Sequence, residues 1–368
     1  MSKKLLFVSI ALLAAVSLSA CSGGPIRGTT WPGLAADDNT AYLADGPHVY
    51  AINLKDGQEL WRYPANSNND LAFFSTPVIT ADGQIIVGSA GSAYSLVALN
   101  PANVDPETNA PVEAWVFTGA QDHWVAPPLV VGDTLFAVNA DGNLYILDLQ
   151  DGQSNKQAVK SIPVEGRLWA APVTDGERVF ITSLDHSVVA VDVNTYELLW
   201  HEDVEGAVPG SAVLGADGML YVGSLASQLI RFNPETGEHS PVLESEYWIW
   251  STPQVDGDTL YFSDLEGRFY SFNTETTGLN WPPVQPDGPI TASPLVQSES
   301  ILLATESGSV YALDREGKVL WSQDIGGKIY TTPVSAGGLT LVAPLEADFY
   351  LAALDQSGRT VWTFTDEN

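Results

Sequence analysis

Residues 310–321, VYALDREGKVLW, alternate apolar and polar positions as far as Asp314, turn through Arg315 to Gly317, and resume in a short run ending at Trp321. Alternation on both sides of a glycine-bearing turn is what a β-hairpin requires. Successive side chains on a strand face opposite sides, and glycine supplies the positive φ of the turn. The phrase recurs as VYAINLKDGQELW (49–61), VVAVDVNTYELLW (188–200), FYSFNTETTGLNW (269–281) and YLAALDQSGRTVW (350–362). LYILDLQDGQ (144–153) and LIRFNPETGEHSP (229–241) are copies that lack the tryptophan, and LVALNPANVDPETNAPVEAW (96–115) is a copy with an enlarged turn. The chain therefore carries eight copies of one hairpin.

The spacing of two markers sets the repeat length. Trp281, Trp321 and Trp362 stand 40 and 41 residues apart, and Pro253, Pro294 and Pro333 stand 41 and 39 apart. A repeat near 40 that holds several short strands predicts a β-propeller blade, whose four-stranded sheet must stack on its neighbours to bury its faces. The expected fold is all-β: an eight-bladed propeller of four-stranded antiparallel blades, near 31–64, 73–119, 124–166, 168–206, 208–246, 249–288, 290–327 and 329–368. Blade six gives the expected order from inside to outside: IWSTPQV, DTLYFSD, RFYSFNT, GLNWPPV. Asp-Gly pairs such as Asp141-Gly142 mark turns, and the Pro- and Asn-rich insert between Asn100 and Val112 is expected to be a surface loop. No stretch sustains a helical period, so helix content should be near zero.

A third column lies three residues before the recurring proline: Trp31, Phe74, Trp124, Trp169, Pro209, Trp250, Thr291 and Tyr330. These residues open the innermost strands, which a propeller gathers around one mouth of its channel. Two readings are open. The aromatic members, Trp31, Phe74, Trp124, Trp169, Trp250 and Tyr330, either pack between blades or form a binding rim for an aromatic ligand, a sugar or a partner's side chains.

The first twenty residues stand apart from this pattern. Lys3 and Lys4 precede an apolar run from Leu5 to Val16 and then small residues, the layout of a secretory signal peptide (1–20). Leu18-Ser19-Ala20-Cys21 resembles a lipobox, which makes Cys21 the expected lipidation site, residues 21–30 a tether and 31–368 the propeller. Cys21 is the only cysteine, so disulfides, thiolate metal sites and catalytic thiols are not available. A formal net charge of −30 repels phosphate backbones and argues against nucleic acid as a partner. No spacing of acidic residues indicates a metal site. The five histidines, His48, His123, His186, His201 and His239, fall at unrelated repeat positions and are expected in surface or loop settings.

The repeat resembles the tryptophan-docking motif of the pyrroloquinoline quinone (PQQ) propellers, carried here by Ala51, Asn53, Gly57 and Trp61; Ala190, Asp192 and Trp200; Ala312, Asp314, Gly317 and Trp321; and Ala353, Asp355, Gly358 and Trp362. The resemblance covers residues 31–368. It implies that Trp61, Trp115, Trp200, Trp281, Trp321 and Trp362 are structural docking residues, and that repeats three and five, without the tryptophan, dock less tightly. An eight-bladed propeller on a lipidated N-terminus is similar to the BamB family of the outer-membrane barrel-assembly machinery, which shares the quinoprotein fold without being enzymatic. PQQ dehydrogenases of this resemblance are longer, bind calcium through clustered acids and, in the alcohol dehydrogenases, add a vicinal cysteine pair. The expectation is thus a monomeric, non-enzymatic, cofactor-free scaffold, lipid-anchored on the outer membrane or cell surface and bound to an envelope protein. Ser22, following the cysteine, permits an outer-membrane destination. The alternatives are a PQQ-dependent dehydrogenase and a surface sensor of a small ligand or polymer.

Overall fold

A computed structural model describes residues 31–366. They form eight four-stranded antiparallel sheets, each made of four strands consecutive in sequence and paired in that order. The sheets span residues 33–63, 78–117, 129–163, 173–203, 213–244, 254–279, 295–324 and 334–364. The repeat count is the blade count, and no helix occurs among the described residues.

Innermost strands are only two to four residues long. In six blades the strand begins directly after Pro77, Pro128, Pro172, Pro253, Pro294 or Pro333, because a ring nitrogen has no hydrogen to give the ladder. Leu34 and Ala212 hold the same position in blades one and five. In blade six, IWSTPQV therefore pairs only over Gln254–Asp256, and GLNWPPV only over Gly278–Leu279 before Pro282 and Pro283 stop it. One isolated bridge, Phe269 to Val284, restores contact beyond the prolines. The insert of blade two also differs from its expectation. It lengthens the hairpin, Leu96–Val104 against Pro111–Phe117, and only 105–110 turn. The Asp105 carboxylate accepts the Glu107 and Thr108 amides, which lets the strands run on to that turn.

Second and third strands read as continuous apolar runs because both of their faces are covered. In blade one Ala41 and Leu43 pack towards blade eight, whereas Tyr42 and Ala44 pack towards blade two. The buried apolar residues fall into eight clusters, each shared by two adjacent blades. No blade has a core of its own.

The outer-strand tryptophans reach across these interfaces. Trp200 Nε1 donates to Pro234 O (2.9 Å), Trp281 to Arg315 O (3.0 Å), Trp321 to Gln356 O (3.0 Å) and Trp362 to Leu54 O (2.9 Å), each time in the outer turn of the next blade. The glycine of that turn lies under the indole: a Cβ on Gly57 would sit 2.7 Å from the Trp362 ring, and one on Gly358 2.5 Å from Trp321. Both glycines also have positive φ, +72° and +82°, so the turn needs glycine for two separate reasons. Trp61 and Trp115 are buried at their interfaces by packing.

Blades one and eight each hold four strands of their own, so the ring closes through side chains. Beside Trp362, Asp366 accepts from Tyr50 (3.0 Å) and Arg62 (2.9 Å), and Thr331 Oγ1 donates to Pro32 O (2.5 Å). Trp362→Phe keeps most of the packed ring and deletes the bond, and should cost about 1 kcal/mol. Gly57→Ala forces the contact and the strained φ together and should cost more, about 2–3 kcal/mol. Thermal or urea unfolding checks both, and a Gly57→Ala protein as stable as the parent would remove the docking turn from the closure.

At the end of blade one's second strand, burial pushes the Asp45 carboxyl up to about 6. The folded state then holds the proton more tightly than the unfolded chain. Stability from this group is present below about pH 4 and is lost as pH rises to about 6, with a ceiling near 3 kcal/mol that partial exposure lowers. Asp45→Asn should therefore raise the unfolding midpoint at neutral pH, with the gain shrinking towards zero at about pH 4.

Candidate functional site

The innermost strands converge on a cavity of about 390 Å³ at the end where they begin. Trp31, Phe74, Trp169, Trp250 and Tyr330 line it and are half-buried. Trp31 and Tyr330 stack at 5.8 Å and 25°, and Trp250 meets Trp31 at 6.4 Å and 73°, so blades six, eight and one form a corner of aromatic faces. Pro209 and Thr291 occupy the column in blades five and seven.

Below the rings, hydroxyls tie the wall together. Thr252 Oγ1 accepts the Ser211 amide (2.9 Å), Ser293 Oγ the Thr252 amide (3.0 Å) and Thr332 Oγ1 the Ser293 amide (3.1 Å), linking blades five to eight in series. These oxygens are used as acceptors and keep their O–H hydrogens. The indole Nε1 of Trp169 is buried and makes no hydrogen bond to the protein.

Trp124 takes the first of the two readings, packing between blades, and not the candidate rim. It is 1% exposed and packs between blades two and three on Phe117 and Tyr145, with Nε1 donating to Tyr94 O (2.8 Å). Blade three has two consecutive prolines, and the second, Pro128, holds the strand-start position. Counting from Pro128 places Val125 in the column, and Val125 lines the cavity. Trp124 belongs one position earlier with the buried Phe73, Leu168, Val208, Ile249, Ile290 and Ile329.

Of the two blades without tryptophan, blade three uses lysine. Lys160 pairs with Ile146 as Trp200 pairs with Ala190, and its Nζ donates to Tyr196 O of blade four (2.5 Å). Lys156, 2% exposed, donates to Asp148 O (2.7 Å), pairs with Asp151 and lies 5.9 Å over the Trp115 ring. Its segment also bonds blade two's outer strand, with Val116 N to Ser154 O and Lys156 N to Val116 O, both 2.8 Å. Blade three is thus fastened on both sides by lysines in place of the missing tryptophan. Blade five, where Pro241 falls near the tryptophan position, packs on blade six through Val242 and Leu243.

Two further placements depart from the sequence expectations or were missed by them. His48 is buried, its ring nitrogens bonded to Pro64 O (2.8 Å) and Ser67 Oγ (3.1 Å), and burial lowers its pKa; it braces the loop between blades one and two. Tyr247 and Trp248, in the loop joining blades five and six, are 45% and 55% exposed. Their backbone is fixed, since Tyr247 O accepts from the buried Ser245 Oγ (2.6 Å) and Trp248 O from the Leu265 amide (2.9 Å). Arg268 lies 5.5 Å over the Tyr247 ring and pairs with Glu246 (2.9 Å). The signal was the run Tyr247-Trp248-Ile249-Trp250, of which the repeat columns use only the last two.

A family model described as outer membrane protein assembly factor BamB matches residues 16–241, 243–316 and 284–368. The chain belongs to this family. The BamB of Bordetella pertussis is 23% identical over 264 residues, 64% of this chain and 63% of that protein, so the alignment spans just under two thirds of the relative's length. Quinoprotein alcohol dehydrogenase PedH of Pseudomonas putida is 24% identical over 214 residues, 53% of this chain and 34% of the enzyme. The crystal structure of BamB from Moraxella catarrhalis superposes with a TM-score of 0.66 at 20% identity, covering 93% of this chain and 96% of that one. A computationally designed protein, Ika8, gives a TM-score of 0.70 at 12% identity over 91% and 97%. At these identities the solved structures report on fold.

PQQ is a tricarboxylate and needs cationic partners, but no Lys, Arg or His lines the cavity of this BamB-family chain. The residues present do not fit that cofactor. Cys21, the expected lipidation site, lies outside the described residues. Trp124→Ala should lower stability by about 3–5 kcal/mol, as emptying a packed interface does. Trp250→Ala, half-exposed in the mouth, should cost much less, and chemical denaturation of the two variants separates the roles.

Proposed function

We propose that the protein is a non-enzymatic scaffold of the bacterial cell envelope, held on a membrane by lipid at Cys21, that docks an envelope protein in outer-membrane protein assembly. The observation that carries the docking reading is the exposed Tyr247 and Trp248 pair on a hydrogen-bonded loop beside Arg268. Tyr, Trp and Arg dominate binding hot spots, and aromatics already fixed in place lose little entropy on association. Membership of the BamB family supplies the assembly context, and the Leu18-Ser19-Ala20-Cys21 sequence supports the anchor.

Affinity capture from native membranes tests the reading. The parent should recover an integral barrel protein, and Tyr247→Ala with Trp248→Ala should weaken that recovery by roughly 30-fold or more in affinity. Stability should shift by no more than about 0.5 kcal/mol for such surface changes. Capture unaffected by the double change would reject this surface. Cys21→Ser should move the protein from the membrane to the soluble fraction and abolish labelling by a radioactive fatty acid.

The likeness to PedH favours one second reading, a PQQ-dependent dehydrogenase. The uncharged cavity opposes it, and saturable PQQ binding with dye reduction would establish it.

A further inference from the structure

The cavity at the channel mouth combines three features that point to one class of ligand. Its walls are aromatic faces, with Trp31 and Trp250 meeting at 73°. Its interior polar side chains are neutral hydroxyls, three of whose oxygens already accept backbone amides while their O–H hydrogens remain to donate. Its surroundings are anionic. The connections at this end carry the exposed Glu165, Asp185, Glu205, Glu266 and Glu346, and Glu306 accepts a hydrogen bond from Thr291 of the lining. The bases here are the exposed Arg167, Lys328, paired with Glu346 (3.1 Å), and Arg268, paired with Glu246 (2.9 Å), and the acids outnumber them.

We propose that this mouth binds a peptide segment bearing an arginine or lysine, with the cationic side chain against the aromatic corner and a backbone carbonyl accepting from a hydroxyl of Thr252, Ser293 or Thr332. Aromatic faces attract cations through the ring quadrupole, most strongly where water is excluded. A funnel whose rim carries an excess of one sign of charge over low-dielectric walls concentrates the opposite charge. A neutral sugar would stack on the rings and gain nothing from the acids. A small organic cation would use the rings and acids and leave the wall's hydroxyl donors unmet. The proposal names a ligand class for the scaffold reading and rests on the cavity lining; Trp250 of that lining lies two residues from Trp248 on one connection, so each surface is tested with its own variants.

The test is a titration of the full chain, followed by tryptophan fluorescence and calorimetry, with acetyl-Gly-Arg-Gly-amide, its citrulline analogue, choline and N-acetylglucosamine. The arginine peptide should bind roughly tenfold or more tighter than the citrulline peptide, the isostere without the charge. Its affinity should fall as salt rises from about 50 to about 300 mM. Trp31→Ala and Trp250→Ala should each abolish binding. Equal binding of the two peptides overturns the proposal, as does preference for the sugar. Choline bound as tightly as the arginine peptide overturns it in favour of a free small cation. Loss of peptide binding in Trp250→Ala with membrane capture intact upholds the mouth as a site distinct from the docking loop.

Discussion

Each blade buries both faces of its middle strands only when a neighbour stands on either side, and the rest of the molecule depends on that mutual need. Tyr42 and Leu43, adjacent in sequence, belong to different interfaces, and neither interface exists inside blade one. A lone blade would leave two apolar faces in water. A row of eight would leave one at each end, so closure removes the last exposed faces and makes stability a property of the ring. Closure by side chains places the junction of blades one and eight on the same footing as the others, with Trp362 on Gly57 repeating Trp321 on Gly358. Asp366, beyond the last strand, adds bonds to Tyr50 and Arg62 there.

What the sequence made legible was whatever each copy repeats at fixed spacing. Gly57, Gly317 and Gly358 and their partner tryptophans could be identified because two constraints, positive φ and contact with an indole, fall on one residue in several copies. The register of Trp124 was not legible, because Pro127 and Pro128 both satisfy the proline marker and only the ladder decides which one starts the strand. A shift of one residue moves a strand side chain to the other face, which turns a rim residue into an interface residue. The inner and outer strands of blade six proved shorter than the alternation suggested, because proline ends hydrogen bonding without disturbing the apolar pattern.

Substitutions for a missing motif are harder to see than the motif. Nothing in the local pattern distinguishes Lys160 from a solvated surface lysine. It becomes a docking residue because the strand pairing puts it opposite Ile146, at the tryptophan position, within reach of Tyr196 O. Lys156 is a costlier replacement, since burying an ammonium requires that its charge and its hydrogens be matched. Asp151, Asp148 O and the face of Trp115 together match it. The candidate site divides along the same line. The aromatic column was visible as a repeat feature, whereas Tyr247 and Trp248 arise in one blade only and became visible through exposure.

The acidity of the chain follows from this architecture. Outer strands other than blade two's leave one edge without a sheet partner, and several carry exposed apolar residues, among them Leu198 and Leu199, Val319 and Leu320, and Val361. An unpaired apolar edge is a template for pairing with another chain. Blade two's edge is covered by the Ser154 to Lys156 segment, while the others stand beside acids such as Glu202 and Asp203 or Asp324. A net charge of −30 makes each copy repel the next and limits edge-to-edge association without burying any edge. Charge placed in the walls of the channel would instead be desolvated against packed inner strands, at a cost of several kcal/mol per ion unless paired. The acids therefore collect in the loops and the rings remain in the mouth, and that separation leaves an uncharged aromatic cavity inside an anionic rim.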